Sequence, residues 1–139
     1  MAARRIILAT DEIYHIFNRS IANEEIFHYK RRLNRILELI DYYRFPQNIR
    51  YSKFKNLPDV QKEEYLKMTG EGTPLVEIYT YALMPNHYHF LLKQLQDKGI
   101  LRFISNLQNS FAKYYNLKNN RPGSLFQKSF YFPAFLFQR

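Results

Sequence analysis

Two histidines one residue apart, His87 and His89, are the side chains of this chain best placed to do chemistry. They lie in the run Tyr79-Thr80-Tyr81-Ala82-Leu83-Met84-Pro85-Asn86-His87-Tyr88-His89-Phe90-Leu91-Leu92. Alternate residues of a β-strand point to one face, roughly 7 Å apart. Two imidazoles at i and i+2 can therefore converge on one divalent cation, and neutral imidazole is the commonest protein metal ligand. Tyr88, Phe90 and Leu92 then fall on the opposite, core-directed face. The bare pair fits a cation site and an ordinary exposed pair beside a turn about equally well, so the surroundings must decide.

The elements that would position the pair can be read from the periodicity. Glu12 to Asn18 alternates around Ile13, His15 and Phe17, which predicts a first strand. Asn23 has the chemistry of an N-cap, with Glu24 and Glu25 in the first turn. Ile26, Tyr29, Leu33, Ile36, Leu37, Ile40 and Tyr43 follow helical spacing towards Pro46. Residues 45–74 form an irregular excursion with a short helix possible at Asp59–Met68. Val76–Leu83 and His87–Gln94 read as an antiparallel pair around Met84-Pro85-Asn86. After Gly99, the residues Ile100, Ile104, Leu107, Phe111 and Tyr114 mark the buried stripe of a second helix, with Tyr115 on its flank beside Asn119. Ser124–Phe130 predicts a fourth strand. The order β-α-(excursion)-β-β-α-β is close to a ferredoxin-like split unit. The expectation is a single α+β domain over residues 1–139, with an antiparallel sheet, helices on one face, and an atypical tail at 131–139.

Composition narrows the partner. The chain has 139 residues, no cysteine, a net charge of +9 and a pI of about 9.8. Disulfides and thiolate metal sites are excluded. The apolar run at the N-terminus is too short for a signal or a membrane span, which favours a cytoplasmic protein with no membrane partner. All 12 acidic residues lie at or before Asp97, whereas Lys98–Arg139 holds seven Lys/Arg and no acid. That bias favours a polyanion, and the interleaved aromatics suit unpaired bases. Arg19, Arg121 and Lys128 are candidate phosphate contacts, and Arg4 and Arg5 could form a basic arm. Tyr114 is a candidate nucleic-acid contact as well as a core residue. His15 could be a packed strand histidine or an active-site residue. His28 is given no role.

Four segments carry a resemblance to a known family: Tyr14-His15-Ile16-Phe17-Asn18-Arg19; the run Tyr81–Leu92; Tyr114-Tyr115-Asn116; and Gly123-Ser124-Leu125-Phe126-Gln127 with Phe130. In order and spacing they resemble the HUH-type single-tyrosine transposases of small insertion sequences, in the branch like the transposases associated with repetitive extragenic palindromes. The resemblance spans roughly residues 12–130. It implies binding of single-stranded or hairpin DNA. It also implies a divalent cation, Mg²⁺ or Mn²⁺, held by His87 and His89, with Mn²⁺ the softer match to imidazole. Strand cleavage and rejoining would pass through a 5′-phosphotyrosine.

One departure bears on activity. In that branch the nucleophilic tyrosine and a further Gln or Asn ligand lie on a later helix, and Tyr131–Arg139 does not read as one because Pro133 opposes it. Tyr115, four residues before Asn119, is the fallback nucleophile. The sequence as it stands is therefore expected to grip DNA and to cleave it weakly or not at all, with His87 and His89 open to solvent. The aromatic tail could fold over the sheet or pair two copies into a homodimer. The alternative functions are a non-catalytic DNA-binding module and a metal-dependent nuclease that uses water.

Overall fold

The computed structural model describes residues 7–70 and 72–132. Strand β1 covers Ile13–Arg19, and a 3₁₀ turn follows at Ile21–Asn23. Helix α1 spans Lys30–Tyr43, and the excursion holds α2 at Tyr51–Lys55 and α3 at Asp59–Gly70. Strands β2 (Val76–Met84) and β3 (His87–Gln94) form a hairpin, and α4 runs from Gly99 to Lys118. The sheet order is β1-β3-β2 with both pairings antiparallel. This is the expected α+β, ferredoxin-like arrangement with helices on one face.

The two faces of the sheet are chemically distinct. On β3 the residues Tyr88, Phe90, Leu92 and Gln94 are buried while His87, His89, Leu91 and Lys93 are half-buried. Phe90 meets Phe103 of α4 edge-on, and Tyr88 meets Phe126. Ile16, Leu39, Ile104, Leu107 and Phe111 complete a core between this face and the helices α1 and α4. Burial of such side chains contributes about 1.5–3 kcal/mol each. The face bearing the histidines carries no helix among the described residues.

Four expectations need correction. Helix α1 begins at Lys30, seven residues after Asn23, which is not its cap. Ala22 and Asn23 both have positive φ, incompatible with a helix start, and Tyr29 is the extended residue before the first turn. Ile26 and Phe27 are buried from a loop, whose Phe27 N–H donates to the Pro85 carbonyl. Within α1 the buried set is Ile36, Leu39, Ile40, Tyr42 and Tyr43, so Leu37 and Tyr29 are exposed. The α2 turn of the excursion has no counterpart in the sequence reading.

The fourth strand is the third correction. Residues 124–130 do not form a strand; the segment touches β1 through two isolated bridges, Ser20 with Phe126 and Phe17 with Tyr131. Three steps along β1 oppose five along the tail, so the segment bulges between the bridges. It still lies at the edge where a fourth ferredoxin-like strand belongs. Arg121 clips its start: the guanidinium donates to the carbonyls of Pro122, Gly123 and Ser124 and to Asn116 Oδ1, and pairs with Glu24 at 3.3 Å. Gly123 sits at φ +87°, where an L side chain is strained. The fourth correction concerns α4: Tyr115 belongs to the buried stripe and Tyr114 is half-buried, the reverse of the sequence reading.

Gly99 is where α4 enters the core. A Cβ there would lie 2.3 Å from the Leu75 carbonyl oxygen, a backbone atom that cannot step aside. Gly99→Ala is expected to destabilise the fold by about 1–3 kcal/mol through overpacking, despite alanine's better helix propensity. Urea unfolding checks it: an unchanged midpoint would mean that the α4 start relaxes freely.

Candidate metal and nucleic-acid site

The β2–β3 turn anchors the histidine pair. Met84 faces His87 and Ala82 faces His89 across the hairpin. Pro85 and Asn86 make the reversal, and their carbonyls accept the N–H groups of Phe27 and Ser20. The turn is thus tied to the connection between β1 and α1. On the other side of β3, Phe17 faces His89 and Arg19 faces His87. Directly opposed residues in an antiparallel pair share a face. His87, His89, His15, Phe17, Arg19, Ala82 and Met84 therefore lie together on the side away from the helices.

Hydrogen bonds orient both rings. His87 Nδ1 lies 2.7 Å from Asn86 Oδ1. A carboxamide oxygen only accepts, so this bond requires the proton on His87 Nδ1, which in the neutral ring leaves the Nε2 lone pair free. His89 Nδ1 lies 2.8 Å from His15 Nε2. When His89 is the donor in that bond, its Nε2 lone pair is also free. The rings of His87 and His89 stand edge to face with centroids 5.2 Å apart. Burial holds the His89 pKa below the ordinary imidazole value, and the neighbouring His15 and His87 push it the same way. A ring kept neutral at pH 7 is in the state a metal requires.

The donor chemistry fits an open two-imidazole cation site. Among the described residues no group of three His, Cys, Asp or Glu gathers to hold an ion. His15 turns to the back of His89 and serves as an orienting partner. Remaining ligands would come from water or from phosphate oxygens, which Mn²⁺ and Mg²⁺ accept.

Around the pair the structure supplies an aromatic stack and cations. Phe17 stacks on His89 at 5.5 Å between centroids, and Tyr131 stacks on Phe17 at 5.3 Å. Tyr131 is 52% exposed. The tail thus lies over part of this face, and His87 and His89 are half-buried where an open pair was expected. Residues 133–139 of the tail, like Arg4 and Arg5, lie outside the described residues. Arg19, opposite His87, and Lys128, in the bridging segment, are exposed, while the donors of Arg121 are largely spent within its own loop.

Tyr115 is not brought to the pair. It is 6% exposed on α4, which packs against the opposite face of the sheet. Arg32 covers its ring at 4.7 Å. Burial, then a hydrogen bond to Glu24, raises its phenol pKa. Asn119 donates to the Tyr115 carbonyl and accepts from Arg32. Tyr114 is also engaged, with Arg35 over its ring at 4.7 Å. His28 forms a contact with Glu25 at the surface.

Sequence reasoning left one contributor open and missed two. His15 was a candidate active-site residue as well as a candidate packed histidine, and its partner is 74 positions away. Tyr131 seats itself on Phe17 only because the tail bridges β1. Asn18 is buried, donates to Gln108 and to the Gln127 carbonyl, and accepts from the Arg19 N–H. It ties β1, α4 and the tail together directly behind the site.

No protein-family model and no curated protein matches the chain. Solved structures do. One is a REP-associated tyrosine transposase bound to a REP hairpin, with 11% identity and a TM-score of 0.54. The match covers 99% of this chain and 64% of that one, so the chain spans less than two thirds of that protein. Another is a candidate transposase from Deinococcus radiodurans R1, with 11% identity, a TM-score of 0.53, and coverage of 96% and 85%. The similarity shows that this chain shares its fold with these two proteins. No helix among the described residues is long and apolar enough to cross a membrane.

Proposed function

We propose that this chain is a transposase-type DNA-binding protein whose open sheet face holds single-stranded or hairpin DNA, with a divalent cation at His87 and His89. The observation that carries this reading is the arrangement on that face. Two imidazoles have their Nδ1 atoms engaged by Asn86 and His15, Arg19 stands beside His87, and the Phe17–Tyr131 stack lies next to His89. The hairpin carried by the REP-associated neighbour supports the same partner. Here His87 and His89 bind and orient, Arg19 and Lys128 neutralise phosphate charge, and the exposed ring of Tyr131 offers a surface for an unpaired base. A bound Mg²⁺ or Mn²⁺ would supply Lewis-acid polarisation of a phosphodiester.

A second reading, binding without strand cleavage, is favoured by the position of Tyr115. In the family that the sequence resembles, the nucleophile attacks phosphorus and keeps the bond energy as a phosphotyrosine. Here the Tyr115 phenol is buried behind the sheet and protonated. The test is incubation of a hairpin-bearing single strand with the protein and Mn²⁺. Native electrophoresis should show a retained strand, and denaturing electrophoresis should show no covalent adduct that depends on Tyr115. Failure to retain the strand would overturn the DNA-binding reading. An adduct lost in Tyr115→Phe would restore Tyr115 as nucleophile, and cut DNA without an adduct would indicate a water-using nuclease.

A further inference from the structure

We propose that Met84 completes the histidine pair into a site for a soft monovalent ion, Cu⁺, held by the Met84 thioether and the imidazoles of His87 and His89. The inference rests on the cation site proposed above and adds a ligand and an ion to it. Met84 is the last residue of β2 and His87 the first of β3, and they face each other directly across the Pro85-Asn86 turn. Opposed residues of an antiparallel pair share a face, with Cβ atoms roughly 4.5–5.5 Å apart. A methionine side chain is long, unbranched and freely rotating. From that position its sulfur can reach an ion bound at His87 Nε2. Met84 is 44% exposed and takes no part in the core, so its thioether is not needed to fill the interior.

His87 stands at the corner of the three donors, with Met84 across the hairpin and His89 one step along the same face of β3. Asn86 engages Nδ1 of His87 and His15 engages Nδ1 of His89, so the ring atom left to bind an ion is Nε2 in both. Thioether ligands select Cu⁺, whereas Mg²⁺ prefers oxygen and gains nothing from sulfur. No thiolate competes for a soft ion, because the chain has no cysteine. Met68, the other described methionine, lines a hollow with Pro46, Asn48, Thr69, Thr73 and Gln96, without a histidine.

The ion has a consequence for the face. Cu⁺ is a d¹⁰ ion of low coordination number, and two imidazoles with a thioether satisfy it. No position then remains for a phosphate oxygen. Mn²⁺ on the same pair keeps positions open for oxygen ligands. Copper therefore competes with the ion that would grip DNA.

The experiment titrates the full chain anaerobically with Cu⁺ buffered by bicinchoninate and, separately, with Mn²⁺ by calorimetry. The variants are Met84→Leu, which conserves volume, and His87→Ala. Met84→Leu should lower Cu⁺ affinity at least about tenfold, since even an orienting partner accounts for roughly 10–100-fold. It should leave Mn²⁺ affinity unchanged, which also reports an intact site. His87→Ala should lose both ions. Ag⁺, a redox-inert analogue of Cu⁺, gives a second readout on the wild type. One equivalent should shift the ¹H–¹³C signal of the Met84 ε-methyl and leave that of Met68 in place. Copper binding that depends on Met84 and His87 in a protein that binds no Mn²⁺ would support this inference and overturn the divalent ion. Cu⁺ affinity unchanged in Met84→Leu, or a Met84 methyl that ignores Ag⁺, overturns this inference and leaves the divalent site standing. Equal loss of both ions in Met84→Leu overturns it as well, because a thioether ligand discriminates between them. Wild-type protein that binds neither ion overturns both.

Discussion

Replacing His87 with alanine should remove Mn²⁺ binding almost completely, by more than about 100-fold measured by calorimetry at neutral pH. Of the three imidazoles on the open face, His15 is committed to His89 Nδ1, and among the described residues no group of three His, Cys, Asp or Glu gathers to hold an ion. Losing one leaves a single nitrogen ligand. Replacing an orienting partner typically costs roughly 10–100-fold, so His15→Phe, which removes the bond to His89 Nδ1, should fall in that range and a direct ligand should exceed it. Long-range ¹H–¹⁵N spectra give a second readout without metal, with His87 and His89 both protonated at Nδ1. The pH dependence has a definite sign. His89 sits below the ordinary imidazole pKa, so it is neutral at pH 7, and protons compete with the metal for this ring only as pH falls through that lowered value. Equal Mn²⁺ affinity in wild type and His87→Ala would show that the pair is not a metal site.

DNA affinity should collapse with salt, by at least about a thousandfold between roughly 50 and 200 mM, as expected for about six or more phosphate contacts. The net charge of +9 and the acid-free stretch from Lys98 motivate this. The contributions are unequal. Lys128→Glu with Arg19→Glu should lower single-strand affinity and flatten the salt slope, because both side chains are exposed, Arg19 opposite His87 and Lys128 in the segment that bridges to Phe17. Arg121→Glu should act differently: its guanidinium holds the loop at residues 122–124 and pairs with Glu24, so the change should also lower the unfolding midpoint. Titration of a labelled strand at several salt concentrations checks the first two, and urea unfolding the third. A flat salt response would remove the phosphate-contact argument altogether.

Strand alternation and turn chemistry are local properties, and the sequence by itself was sufficient for them. The hairpin around Pro85-Asn86, the shared face of His87 and His89, the start of α4 after Gly99 and the α+β order were all legible. The charge asymmetry was legible too, because it is a matter of composition. What depends on contacts between distant residues was decided only by the tertiary structure. Asn23 has every local attribute of a helix cap, yet Phe27 bonds the β2–β3 turn and delays α1 to Lys30. The spacing of α4 admits either Tyr114 or Tyr115 into the core, and packing beside Phe111 and under Arg32 chose Tyr115. The tail alternates like a strand, but the two bridges to β1 are spaced unequally, so it bulges. His15 became the partner of His89 because antiparallel pairing set β1 against β3, a register that neither strand encodes alone. Periodicity determines which side of its own element a residue occupies; the pairing of elements far apart in the chain determines what that side meets.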